Sequence, residues 1–385
     1  MSFHELQERL SVSMVKNQSR RLIFRHIFRN SPVTRAVIAT ETGLSQGTVK
    51  TIVDEFLGAG IVEEKKDVSA PVGRKPQKVY LCPTARTFCV LNLQPGRVEF
   101  HRLDLSLQPI EPSVTASLTA SDAYGENLRA FLSGVKQQGA NGVCGVGVIV
   151  PGAYDPDGDR VICHIMPELA GVAIREAVQT TLGVPVTIGE DVHVAALAEA
   201  GFPYNAEQPL FYLYAGSGVG GSYVSDGRVL LGATRMAGEI GQVVMRGGKR
   251  LEQLISWPSF LDACGLPPAD GSANDAEGVR RRLENQDRRV IAALDTVTDH
   301  LSEAIESMIC LLNPRTILIG GPYCELGDAV LERLRSRLFT RLMPEHRDGL
   351  QILMAHGGES GMIRGAAFVV LDKWLESEFS IGGDQ

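Results

Sequence analysis

LYAGSGVGGSYVSDGRVLLGATRMAGEIGQVVMRGGKRLE, residues 213–252, is the stretch on which the reading of this chain turns. It starts inside an apolar, strand-like run, residues 210–214, and passes directly into Gly216-Ser217-Gly218-Val219-Gly220-Gly221. Small residues in such a loop let backbone N–H groups approach an anion closely, as phosphate-cradling loops do. Tight turns in a plain hairpin call for the same residues, so the loop alone decides little. A second strand over 222–224 leads to a turn at Asp226-Gly227, and 229–231 read as its hairpin partner. Gly238-Glu239-Ile240-Gly241 then holds a carboxylate between two glycines, and the stretch closes on Glu252.

The totals bound what surrounds it. A chain of 385 residues can hold two or three domains, each with its own core. Hydrophobic content of 44% and charge of 22% are ordinary for a soluble globular protein. No apolar run approaches the roughly 20 residues that span a bilayer. The polar N-terminus lacks the apolar stretch of a secretory signal, which points to the cytoplasm. Seven cysteines are scattered without a CxxC or CxC pair and read as small buried hydrophobes. Charge is divided unevenly. Residues 1–80 carry 13 Lys and Arg against 8 Asp and Glu, within a chain of net charge −7. A basic head on an acidic body fits nucleic-acid contact by the head.

That head has a layout of its own. Residues 17–30 place Leu22, Ile23, Ile27 and Phe28 on one helical face among four arginines, and Pro32 ends the helix. Thr34 is placed to cap a second helix over 35–42, with Val37, Ile38 and Ala39 turned inward. Gly43 supplies a tight turn. Ser45 caps a third helix from Gln46 to about Gly58, whose Val49, Ile52, Val53, Phe56 and Leu57 face the core. Gln46, Thr48, Lys50 and Thr51 are left for its outer face. Helix, short glycine turn and capped helix make a helix-turn-helix, whose second helix enters a major groove. Strands near 61–63 and 79–81 flank a polar loop and read as a wing, with Arg74 and Lys75 at its tip for phosphates or a minor groove.

From Thr87 the composition changes to alternating strands and helices. Strands over 88–93 and 97–105 meet at Gln94-Pro95-Gly96, a helix covers 122–137, and a buried strand covers 143–150. Asp155, Asp157 and Asp159 read as a solvated acidic loop. A strand over 185–189 ends in Glu190-Asp191, followed by an alanine-rich helix over 192–199. Asp191 would sit at that helix's N-terminus as a cap, held by free amides and the macrodipole. A long helix over 288–312, a strand ending in Gly320-Gly321-Pro322 and a further strand, glycine turn and helix complete two similar α/β lobes in tandem.

The Gly-rich loop, the hairpin and Ala237-Gly238-Glu239-Ile240-Gly241 together resemble the sugar-kinase-like core of the ROK family, which contains sugar kinases and sugar-responsive repressors. Residues 15–81 also resemble the winged helix-turn-helix of the family's repressors, including a G-R-x-P wing at Gly73-Arg74-Lys75-Pro76. The resemblance implies a ligand site at Glu190-Asp191, Glu239, Gln242 and Glu252, where kinases of the family carry an Asn-Asp pair whose Asp is the general base. It also exposes departures. The kinases' Asp-x-Gly-Gly-Thr loop is Asn92-Leu93-Gln94-Pro95-Gly96 here, which counts against phosphoryl transfer. Gln242 replaces the usual His, and residues 245–252 contain no Cys, so the family's zinc site lacks its ligands.

The fold expected is α/β, with a winged helix-turn-helix over 1–84 and a two-lobed ribonuclease-H/actin-like domain over 85–385. The function expected is a DNA-binding regulator, a repressor of carbohydrate genes responding to a sugar or sugar derivative. Its expected partners are double-stranded operator DNA, that effector and a second copy of the chain, with no membrane. No cofactor, metal or catalytic residue is expected. DNA contacts are assigned to Ser45, Gln46, Thr48, Lys50, Thr51, Arg74 and Lys75. The competing expectation is an active ATP-dependent sugar kinase carrying a DNA-binding head.

Overall fold

The computed structural model describes residues 3–66, 77–118, 123–137, 142–201, 206–267 and 273–379. The chain forms two compact units, Met1–Gly189 with Ala366–Gln385, and Glu190–Gly365. Among the described residues no helix is long and apolar enough to cross a membrane.

The first unit begins with the head. Helices α1 (Phe3–Asn30), α2 (Arg35–Thr42) and α3 (Gln46–Gly58) precede an antiparallel pair, β1 (Val62–Lys66) and β2 (Gln77–Leu81). Thr34 accepts the Val37 amide and Ser45 the Thr48 amide, so both caps fall where the sequence puts them. Gly43 closes α2 with φ 69°, a left-handed value that costs a glycine nothing. Ile23, Phe24, Ile27, Ile38, Val49, Ile52, Val53, Phe56, Ile61 and Val79 make the buried core of the head. Two expected core residues are instead at the surface, Leu22 at 42% and Val37 at 40% exposure. Phe24 takes the place assigned to Leu22, because the buried stripe of α1 runs through Ile23, Phe24 and Ile27.

Beyond the head lie β3 (Thr87–Gln94), β4 (Arg97–Asp104), β5 (Val114–Ser117), α4 (Tyr124–Gln137), β6 (Val143–Val150), β7 (Ala153–Asp155), β8 (Arg160–Ile162), α5 (Ile174–Leu182) and β9 (Val186–Glu190). Their main sheet has the order β5-β4-β3-β6-β9, with β3 antiparallel to β4 and parallel to β6. Leu91, Leu93, Val146 and Val148 pack with Leu128, Leu132, Ile174 and Val178 of α4 and α5. The acidic turn is not a solvated loop throughout. Asp159 accepts the Arg175 and Glu176 amides at 3.0 Å and the Tyr154 hydroxyl at 2.9 Å. It thereby caps α5, whose own N-cap residue, Ala173, has no side chain to do so.

The second unit comprises α6 (Asp191–Ala200), β10 (Leu210–Ala215), β11 (Val219–Ser225), β12 (Arg228–Val229), α7 (Leu251–Ile255), α8 (Trp257–Cys264), α9 (Ala273–Glu284), α10 (Arg288–Leu312), β13 (Thr316–Gly320), α11 (Asp328–Arg341), α12 (Pro344–Arg347), β14 (Gln351–Met354) and the start of α13 (Gly358–Glu378). Its sheet order, β12-β11-β10-β13-β14, resembles the first: the central strand has two antiparallel strands on one side and a parallel neighbour on the other. The tandem lobes are therefore real. Leu294, Val297, Leu301, Ile305 and Ile309 of α10 pack against Leu213, Ile317 and Ile319.

The last part of α13, from Ala366, belongs to the first unit and holds the head. Arg21 meets Asp372 at 2.6 Å and Glu376 at 2.7 Å, and Arg25 meets Asp372 at 3.3 Å. Arg20 bonds Glu55 of α3 at 2.8 Å and also donates to the carbonyl of Phe379. The Phe379 ring lies against Phe56 of α3, with centroids 5.2 Å apart. Replacing Asp159 with Ala should cost about 1–2 kcal/mol through the lost helix cap. Urea titration followed by a probe in the first unit should register that loss, while an unchanged midpoint would show that the cap contributes nothing.

Candidate functional site

On the head, the capped start of α3 presents the candidate DNA face. Gln46, Lys50 and Thr51 are exposed, and Thr48 is half-buried. Their side chains are not equally available. Ser45 Oγ serves the Thr48 amide at 3.1 Å and pairs with Thr48 Oγ1 at 2.9 Å. Thr51 Oγ1 donates to the Gly47 carbonyl at 3.0 Å. Thr48 and Thr51 also border a groove of about 690 Å³ shared with Val15 and Ser19 of α1, which turns them toward α1. Among the described residues Lys50 makes no ion pair, and Gln46 beside it is exposed. Of the α3 candidates, Gln46 and Lys50 are best placed to reach base edges and phosphate. Arg74 and Lys75 lie outside the described residues. Of the arginines of α1, Arg20, Arg21 and Arg25 are engaged with α3 and α13 and so are not a free phosphate-binding set.

In the second unit the expected ligand residues gather around the start of β11. The Gly-rich stretch is only partly a loop, since β11 begins at Val219 and Gly220 and Gly221 pair with Tyr214 and Leu213. Its glycines serve close packing. A Cβ on Gly221 would strike the Phe211 ring, and one on Gly220 would press on Val192 of α6. Three of its amides are already taken within the chain. Gly216 N–H donates to Gly218 O at 2.9 Å, Gly221 N–H to Gly238 O at 2.7 Å, and Val219 N–H to Glu252 Oε2 at 3.3 Å. From Val219 the stretch is a strand start, and it holds the Glu252 carboxylate.

Glu239 is fixed by its two glycines. Gly238 has φ 103°, and a Cβ there would collide with the Gly221 carbonyl. A Cβ on Gly241 would collide with the Val219 carbonyl. Glu252, the second residue of α7, reaches the same strand through Val219. Across Gly220 stands the start of α6. Asp191 is its first residue, not its cap, and accepts the adjacent Val192 amide at 2.7 Å. Glu190 occupies the cap position without a side-chain cap bond and turns to His193, with Oε2 3.3 Å from Nδ1. Burial pushes the Asp191 carboxyl up to about 6; the Val192 amide and His193 oppose this, and the charges of Glu190 and Glu239 add to it.

Glu190, Asp191 and Glu239 therefore share one electrostatic neighbourhood, and Glu252 borders it. Gln242 is different. It is exposed, and its side-chain oxygen accepts from Arg250 Nη1 at 2.9 Å, with its backbone carbonyl taking the same group at 3.1 Å. That clasp closes residues 243–250, the segment where zinc ligands are missing. Among the described residues no three His, Cys, Asp or Glu side chains converge to hold a metal ion. Sequence reading did not select His193, although its spacing of three from Glu190 on a helix was the available signal. Arg250 had none, because its partner is found only when the loop closes.

A family model for the ROK family matches residues 113–373, and a winged helix-turn-helix DNA-binding model matches residues 16–63. The chain belongs to the ROK family. It is 22% identical to the DNA-binding transcriptional dual regulator NagC of Escherichia coli K12, over 89% of this chain and 90% of that one. It is 20% identical to the xylose repressor of Bacillus subtilis, over 94% and 97%. Among solved structures it resembles a ROK family transcriptional regulator described as a homolog of the E. coli MLC protein, with TM-score 0.75, 19% identity and coverage of 94% and 97%. A ROK family glucokinase from Streptomyces griseus in complex with glucose and AMPPNP gives TM-score 0.60 at 17% identity, covering 74% of this chain and 98% of that one. These confirm the winged head and the sugar-kinase-like fold.

Two measurements follow from this geometry. Lys50→Ala should weaken binding to all DNA and flatten the plot of log affinity against log salt by about one unit. Gln46→Ala should leave that slope and change the preferred sequence; fluorescence anisotropy over a salt series separates the two. For Asp191 the folded pKa lies above the unfolded one, so its cost is absent below about pH 4, grows from pH 4 to 6 and persists above. Asp191→Asn should therefore stabilise the protein by about 3 kcal/mol near neutral pH, with the gain vanishing toward pH 4. Thermal melts across pH would register this, and an equal gain at every pH would contradict it.

Proposed function

We propose that this ROK-family chain is a DNA-binding transcriptional regulator of the repressor type whose second unit senses a sugar or sugar derivative. The observation carrying this is the junction of a head with an exposed recognition face and a kinase-like fold in which the Gly216, Val219 and Gly221 amides already bond within the chain. A working sugar kinase needs those amides, or the missing Asp-x-Gly-Gly-Thr loop, to hold ATP phosphates. Relatives named as an N-acetylglucosamine repressor and as xylose repressors support a sugar effector and carbohydrate genes as targets. No metal, cofactor or phosphoryl transfer enters this reading. A single head reads only a half-site, so the working form is a dimer on a paired operator, in the cytoplasm.

The fold supports a route from effector to head. Helix α6 starts at Asp191 in the carboxylate site and carries Glu199 near its end. Glu199 accepts the His356 amide at 2.7 Å and the Gly357 amide at 2.8 Å, just before α13 begins. The far part of α13 carries Asp372 and Glu376, which hold Arg21 of α1, and next to its end Phe379 packs on α3. A shift of α6 on binding would thus be handed to the helix that carries the head.

The test pairs DNA release with sugar binding. DNA selected in vitro with the full-length protein is challenged with N-acetylglucosamine, xylose, glucose and their phosphates in gel shifts. Asp191→Asn should lose the response to whichever sugar releases the wild type, while its affinity for DNA alone stays within about twofold, a change worth under 0.5 kcal/mol. A mutant that responds like the wild type would place the sensor elsewhere. Sugar-dependent ADP production by the wild type would favour the kinase reading.

A further inference from the structure

We infer that the effector presents a free ammonium group to the Glu190–Asp191 end of the site, so that an amino sugar fits it better than a neutral sugar. This rests on the proposed reading of the second unit as the sensor. The start of α6 supplies two consecutive anionic acceptors. Glu190 and Asp191 are consecutive, Glu239 acts on Asp191 electrostatically, and Glu252 holds the adjoining Val219 amide. Against them the same stretch offers the Val192 amide and the His193 ring. That ring is 5% exposed, and its Nε2 has no hydrogen-bond partner, so it is a buried polar group set beside the carboxylates and unsatisfied without a ligand.

Like charges brought together are relieved by a proton, a metal ion or an organic cation. The rise of Asp191's pKa is the first of these, and it describes the molecule without a ligand. The second is disfavoured, because among the described residues no three possible ligands converge at metal-binding distance. Glu190 and Glu239 are near enough to act on Asp191. A sugar carries several polar groups and can meet more than one of these carboxylates at once. Its hydroxyls can donate to Glu239 and Glu252 while an ammonium, with three donors and a charge, meets Glu190 and Asp191. Charge-assisted hydrogen bonds of that kind are about twice as strong as neutral ones. A neutral sugar would bring no charge to Glu190 and Asp191, and a phosphate directed to this end would add to theirs.

Isothermal titration of the full-length protein near pH 7 with D-glucosamine, D-glucose and N-acetyl-D-glucosamine tests this, since the three differ at one position. Glucosamine should bind at least tenfold more tightly than either of the others. In Glu190→Gln that preference should shrink to less than threefold, and in Glu190→Asp, which keeps the charge, it should survive; far-ultraviolet circular dichroism verifies that both variants fold. If glucose or N-acetylglucosamine binds as tightly as glucosamine, the inference fails and the sensor reading stands. If Glu190→Gln keeps the full preference, or loses all three sugars alike, the inference also fails. If no sugar binds the wild type, the inference and the sensor reading fall together.

Discussion

The site depends on one backbone-to-backbone contact. The turn carrying Glu239 lies so close to β11 that Gly221 N–H donates to Gly238 O at 2.7 Å, and neither Gly238 nor Gly241 has room for a Cβ. Any side chain at these positions would push the turn away from the strand. Glu239 would move with it, and the Val219 amide that holds Glu252 would lose its setting. Glycine weakens a chain locally because it has more freedom to lose on folding. Here that cost is offset by a contact that no other residue permits. The same strand start receives α6 across Gly220, which brings Asp191 to the other side of it.

Charge is handled differently in the two regions. In the head, cations are largely matched: Arg20, Arg21, Arg25 and Arg35 all meet carboxylates, and Arg35 ties Asp54 of α3 to Glu64 of β1 at 2.8 and 2.6 Å. These pairs are partly buried and hold the three helices and the strand pair together, leaving Lys50 on the recognition face. Around Asp191 the charges of Glu190 and Glu239 add to the effect of burial, and its carboxyl is shifted toward its neutral form. A group held in its less favourable environment responds most to a ligand that changes that environment.

Much of the fold was legible from the sequence. The caps Thr34 and Ser45, the turn at Gly43 and the bounds of α2 and α3 follow from side chains acting within one turn of the backbone. The tandem lobes could be read from strand and helix periods. What misled was local pattern taken alone. Leu22 and Val37 are apolar and helical, yet lie at the surface, because a helix buries only the stripe its neighbours cover. Gly216–Gly221 has a phosphate loop's composition, but its amides bond to partners up to 33 residues away. Asp159 looked solvated because the helix it caps begins 15 residues later.

By itself, then, the sequence determined the class of each element, the winged head and the residue types of the ligand site, since these rest on periodicity, capping and glycine placement. Only the tertiary structure decided which of those side chains remain free to act. It committed Arg20, Arg21 and Arg25 to α3 and α13, the Gly216, Val219 and Gly221 amides to the chain itself, and Gln242 to Arg250. The physical reason is that a hydrogen bond or ion pair needs both partners within about 3 Å. That distance is set by packing between segments far apart in the chain, which no local spacing encodes.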